Sequence, residues 1–416
     1  MRLRRAARRR LPAPLLAAVA LAALGGIAAT GQLPPAAAQT GGAGPVEDAP
    51  ALRNTPFDRH GMWIWYVERS NGGSIPAIVA QAKRAGIGTV YVKAGDGTRA
   101  WSQFSTGLVQ ALHRGGLSAC AWQFVYGERP VAEARVAAAA VRKGADCFAI
   151  DAEGAYEGKY AAADLYVRTL RARIGAAFPV SLAAFPYVDH HPSFPYSVFL
   201  GPGGATYNQP QMYWKTIGTS VRAAYEHSYL YNRIWGRPIY PIGQTYEGPG
   251  NGSLRLFRRF AASYGGLAPS WWSWQETDAR EWGALGATAA LRPLPRYRQS
   301  IEHPLLRRGS RGDMVVWAQE RLIGAGHEVP VTGFFGKLTY AAVRAFQAAK
   351  GLPADGKIGT DTWGALLDFT PYRMRWSASR AGSRARASSA AGRPPSRPLS
   401  ASLPSRAYEI DPGPAP

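Results

Sequence analysis

Only two cysteines, Cys120 and Cys147, occur in 416 residues, so no disulfide framework holds this fold together. Acidic residues are scarce as well, 27 against 49 basic ones, for a formal charge of +22. That excess invites a nucleic-acid partner, but no zinc-finger spacing, RNP-like aromatic pattern or phosphate-cradling glycine loop accompanies it, and no nucleic acid is expected. The apolar run Leu15–Ala29 is shorter than the ~20 residues a membrane span needs, and no later stretch could cross a bilayer. No Ser/His/Asp order or Cys-His motif stands at a strand end. Asp189-His190-His191 offers metal-ligating groups, but adjacent histidines rarely point to one centre, so neither metal nor cofactor is expected.

The charge is also unevenly spread. Six arginines lie within residues 2–10, and eight more follow Tyr372 against only Glu409 and Asp411, which leaves a formal +10 in between. Such a balance suits a polyanionic surface such as a cell wall. The arginine-rich start, the apolar run and the small residues of "PPAAAQT" read as an export signal over residues 1–38. Residues 39–55 read as a Gly/Pro/Ala linker and 371–416 as a disordered basic tail. In an oxidising compartment Cys120 and Cys147 could pair, although two buried thiols fit their apolar surroundings equally well.

Between residues 56 and 290 apolar, strand-like runs alternate with amphipathic stretches about eight times. "MWIWYV", "TVYVKAG", "LSACAWQFVYG" and "CFAIDAE" open the series, and "VAEARVAAAAVRKGA" is typical of the helices between them. Eight β-then-α units predict a (β/α)8 TIM barrel, with "DHHPSFPYSVFLGPGGATYN" as a long loop over the face where such barrels do their chemistry.

The fourth strand carries the sharpest signal. Asp151 and Glu153 lie two residues apart at its C-terminal end, so alternation points both carboxylates towards the barrel mouth. Glycoside hydrolysis commonly uses one carboxylic acid to protonate the leaving oxygen and a second group to manage the oxocarbenium-like transition state. Glu153 is assigned as general acid and Asp151 as its supporting carboxylate. "DCFAIDAE" resembles the D-x-x-D-x-D-x-E signature of chitinase-like family 18 glycosidases, with Asp146, Asp151 and Glu153 in register and Ala149 in place of the middle Asp. That resemblance implies the substrate's own N-acetyl group as nucleophile. The barrel also resembles the lysozymes of glycoside hydrolase family 25, through Asp151/Glu153, Trp274-Gln275 on strand eight and Gln211 to Trp214 near strand six, but its first strand lacks their Asp. A further arrangement sets Glu247 across from Glu153 as nucleophile, about 5.5 Å away.

Polar and aromatic residues near strand ends complete the expected sugar site: Trp65, Lys93, Asp96, Gln123, Tyr187, Gln211, Tyr213, Gln244, Glu247, Trp274 and Gln275. From residue 304 to 369 the text changes. Leu306, Gly309, Gly312, Val315, Gln319, Leu322, Gly333, Phe335, Gly336, Thr339, Phe346, Gln347, Asp355, Gly356, Gly359, Thr362 and Trp363 occur in fixed order, and the stretch resembles the peptidoglycan-binding type 1 module, a small three-helix domain. The sequence therefore predicts an exported, wall-associated monomer with a glycosidase-like barrel and a peptidoglycan-binding domain, acting on peptidoglycan or another wall glycan. A catalytically silent glycan-binding barrel is the alternative.

Overall fold

Strands rich in aromatic and β-branched residues pair in parallel, as expected when helices cover the sheet from outside. The computed structural model describes residues 54–265, 267–286 and 293–377; the export signal, most of the first linker and the tail beyond residue 377 lie outside the described residues. Eight strands follow in chain order: β1 (Gly61–Ile64), β2 (Thr89–Asp96), β3 (Ser118–Val125), β4 (Cys147–Ala152), β5 (Val180–Ala184), β6 (Tyr207–Pro210), β7 (Ile242–Gln244) and β8 (Ser270–Trp272). Hydrogen bonding runs unbroken from β6 back through β5, β4, β3 and β2 to β1, and on to β8 and β7. Single bridges Asn208↔Ile239 and Gln211↔Ile242 complete the barrel between β6 and β7. Cys120 and Cys147 face each other in the β3–β4 register and form a disulfide, which settles the question their surroundings left open.

Helices α1 (Ile75–Arg84), α2 (Thr106–Arg114), α3 (Pro130–Arg142), α4 (Tyr160–Ile174), α5 (Val221–Asn232), α6 (Asn251–Ser263) and α7 (Ala279–Gly286) form the outer layer. Ser74 caps α1, Ser105 caps α2 and Ser220 caps α5, each hydroxyl accepting the backbone N–H three residues on. The barrel interior is aromatic: Phe57, Trp63, Tyr91, Trp122, Tyr207 and Tyr240 pack together in it, with Trp63 stacked on Tyr91 at 4.6 Å.

The C-terminal module has helices α8 (Asp313–Gly324), α9 (Lys337–Ala349) and α10 (Thr360–Leu367). Two buried glutamines organise it in the same way. Gln319 accepts from Thr332 and Gly333 N–H and donates to Thr339 Oγ1, while Gln347 accepts from Gly356 N–H and donates to Thr362 Oγ1. Each amide satisfies a turn whose backbone groups would otherwise be buried unpaired.

Module and barrel share one apolar core. Asp313 is buried against the barrel, its carboxylate accepting from Ser197 N–H at 2.7 Å and Ser197 Oγ at 2.6 Å. Trp317 donates to Ile234 O at 2.5 Å and packs on Trp235 at a tilt of 54°. The segment 371–377, which composition places in the basic tail, runs back over this seam: Arg373 pairs with buried Asp164, and Trp376 packs on Tyr160 at 4.5 Å. The connection 293–303 is likewise packed, with Tyr297 bonded to Tyr264 and Arg233 bonded to Gln299.

Candidate active site

The inward side of β4 reads Cys147, Ala149, Asp151. Cys147 and Ala149 belong to the barrel interior, so Asp151 is the next side chain up and emerges at the mouth. Glu153 lies just beyond the strand with extended backbone (φ −131°, ψ −151°), and the alternation therefore carries its carboxylate to the same side.

Gln211 ties the two acids together. Its backbone is pinned between neighbouring strands by Gln211 N–H to Ala184 O and by the bridge to Ile242. Its side-chain nitrogen donates to Asp151 Oδ1 and to Glu153 Oε1, each at 3.1 Å. Two carboxylate oxygens sharing one donor stand at most about 6 Å apart. Burial raises the Asp151 carboxyl well above the ordinary range and the Glu153 charge raises it further, while the Lys93 ammonium opposes both. Glu153 is also raised by burial, against the Gln211 hydrogen bond and the His191 charge. Like charges this close in a desolvated site favour one retained proton across the pair.

The wall contributed by β1 to β3 holds Lys93. Strict alternation would place Lys93 and Asp96 on opposite faces of β2. A register shift between Lys93 and Gly95 turns the strand, and Lys93 Nζ meets Asp96 Oδ2 at 2.6 Å. The ammonium also lies over the rings of Trp65, Trp101 and Trp122, 4.6–4.9 Å from their centroids. Asp96 accepts a further hydrogen bond from Tyr126 Oη at 2.8 Å. Trp272 closes the aromatic group against Trp65 and Trp122. The buried Trp65 indole N–H has no acceptor among the described residues.

The mouth thus gathers Asp151, Glu153, Gln211, Lys93, Asp96 and Trp65. Tyr213 is buried close enough to Asp151 and Glu153 to feel their charge. Gln275 accepts from the Trp65 backbone N–H at 3.4 Å and supports that residue. Five other expected sugar-site residues do not join this group. Gln123 follows inward Trp122 and so points outward, donating to Gly97 O in the turn after β2 and to Glu133 O of α3. Gln244 is occupied by the turn after β6, accepting Lys215 and Thr216 N–H. Trp274 starts the turn Trp274–Glu276 and packs on Trp282, donating to Asn71 Oδ1. Glu247 is exposed in a turn with φ +61°, its carboxylate on Thr216 Oγ1, which gives no support to a role opposite Glu153. Tyr187 lies on the rim against His227.

Trp101 and Gln103 belong to the site without having been anticipated. Gln103 donates to Trp65 O and Lys93 O and accepts from Val67 N–H, locking the ends of β1 and β2 together. Their signal was Gly97-Thr98, a two-residue hairpin loop with Gly97 at φ +51° that folds Arg99–Ala100 back on β2 and brings Trp101 inward.

Comparison with known proteins identifies the module. Residues 311–366 match the family model of a peptidoglycan binding domain. A peptidoglycan-binding protein from Clostridioides difficile, solved with glutamine hydroxamate, is 43% identical over 15% of this chain and 40% of that one, with a TM-score of 0.15. The chain thus spans less than half of that protein. An endo-β-1,4-mannanase from Thermotoga petrophila is 10% identical over 53% of this chain and 68% of its own, with a TM-score of 0.40. A family 39 glycoside hydrolase from the gut symbiont Bacteroides cellulosilyticus is 10% identical over 62% and 68%, also with a TM-score of 0.40. No curated protein matches the chain.

Proposed function

We propose that the barrel is a glycoside hydrolase that cleaves a glycosidic bond in peptidoglycan or a related N-acetylated glycan, and that the module holds it on the wall. The observation that carries this reading is the Asp151–Gln211–Glu153 bridge: two carboxylates on one barrel strand, both driven towards protonation, under an aromatic wall suited to a sugar ring. Glu153, nearer solvent, protonates the glycosidic oxygen as the bond to the anomeric carbon breaks. Asp151, deeper and beside Lys93, shares the pair's one retained proton with Glu153, and in the form in which Glu153 carries that proton Asp151 supplies the negative charge that the positively charged sugar needs. The two oxygens that share the Gln211 donor stand at most about 6 Å apart, which favours a retaining course over an inverting pair with carboxyl groups roughly 6.5–9.5 Å apart. With both acids on one strand and none presented by β1, the substrate's own N-acetyl oxygen is the better nucleophile, oriented by Asp151.

A glycan-binding barrel without turnover is the second reading, favoured by the acid-free β1 and by Ala149 beneath Asp151. One experiment separates them. Full-length protein and its Glu153→Gln variant are incubated with purified peptidoglycan, and released fragments with new reducing ends are identified by mass spectrometry. Release by the parent alone supports hydrolysis by Glu153; retention on the wall with no release from either leaves the binder.

A further inference from the structure

Behind Tyr187, on the rim, the structure assembles a group the sequence does not. The Asp189-His190-His191 run is divided: His191 turns to Glu157 and stacks on Phe185, while His227, from α5, takes its place beside Asp189. Asp189 Oδ1 is 2.7 Å from His227 Nε2, Asp189 Oδ2 is 3.9 Å from His190 Nε2, and the three ligand atoms all lie within 4.8 Å of one another. We propose that Asp189, His190 and His227 bind one divalent transition-metal ion of the zinc type, with solvent completing the coordination.

The geometry fits. Zinc bonds of about 2.0–2.1 Å in a tetrahedron set ligand atoms roughly 3.3 Å apart, so only small side-chain shifts are needed. Two imidazoles and a carboxylate suit zinc, nickel or copper rather than magnesium or calcium. The His227 ring is fixed in advance, with Tyr187 at 4.0 Å and Tyr231 at 5.0 Å, both inclined 30° to it. His190 is exposed and Asp189 and His227 are partly exposed, so an ion can enter from solvent. A plain ion pair accounts for one histidine per carboxylate, as in His113–Asp146 and His191–Glu157. Asp189 faces two, from separate elements. A bound ion would tie the loop after β5 to α5 and fix the rim next to His191, whose charge reaches Glu153. This site does not depend on the barrel being an enzyme.

Untagged full-length protein, stripped with chelator, is titrated with zinc chloride by calorimetry, and cobalt binding is followed by visible absorption. One ion per chain is expected, with binding at least about tenfold weaker in both His190→Ala and His227→Ala and unchanged in His113→Ala. If His227→Ala does not fold, the exposed His190 gives the same reading. Absence of binding to the parent, or binding that survives in the His190→Ala/His227→Ala double variant, overturns the proposal.

Discussion

Glutamine side chains do opposite things in the two halves of this molecule. In the module, Gln319 and Gln347 each turn their amide on backbone N–H groups of a neighbouring turn, and the polar atoms are satisfied by the fold itself. At the barrel mouth, Gln211 points its amide at two carboxylates that burial already disfavours as anions. The first arrangement lowers the energy of one structure. The second gathers groups that would be more stable apart, and the proposed function rests on that arrangement.

The largest effect that would break the comparison lies at Glu153. Glu153→Gln keeps shape and removes the transferable proton, so release of fragments from peptidoglycan should fall by roughly 10²- to 10⁴-fold while wall retention in a pull-down stays unchanged. Equal loss of retention would mean that Glu153 holds the fold rather than the proton. Next comes Gln319→Ala, which leaves the buried Gly333 N–H without its acceptor, at about 1–3 kcal/mol, and turns the Thr332 N–H to solvent. Hydrogen exchange across residues 313–367 should rise sharply and wall retention should drop, with exchange in β2 to β4 little changed.

The same contrast explains what the sequence made legible. Period-two alternation located Asp151 and Glu153 because the fourth strand is regular and continues in extended form through Glu153. It also separates Gln123 from Gln211 once Cys120 and Trp122 are set inward, since the neighbour of an inward residue faces out; grouping both as polar strand ends lost that distinction. The Lys93–Asp96 pair depends on a register shift that no local pattern announces, and Trp274 and Glu247 stand where the chain has already left the strand. The seam was hidden for another reason. The module's motif positions describe its own core, whereas Asp313 and Trp317 are buried by the barrel.

Asp151→Asn sharpens the contrast through pH. A carboxyl raised in the folded state binds a proton that the unfolded chain releases, so its stabilisation is complete below the ordinary carboxylate range and is lost as pH rises through the raised value. The parent's melting temperature should therefore fall from pH 5 to pH 8 more steeply than that of Asp151→Asn. At pH 8 the variant should be the more stable, although inactive. Parallel melting curves would show that Asp151 is not held towards its protonated form.

The smallest effect is the most discriminating. Gln211 stabilises both anions by donating to them, so Gln211→Ala should raise the pair's apparent pKa values and displace the alkaline limb of the pH–rate profile upward, by less than about one unit for the loss of a single neutral donor. Gln123→Ala removes a fully buried amide on the outer face of β3. It should lower thermal stability, because Gly97 O and Glu133 O lose their donor, and leave the pH–rate profile in place. If the two variants moved the profile alike, the shift would come from general loosening of the sheet; if Gln211→Ala alone moves it, one hydrogen-bond donor between two carboxylates is what separates the mouth of this barrel from its walls.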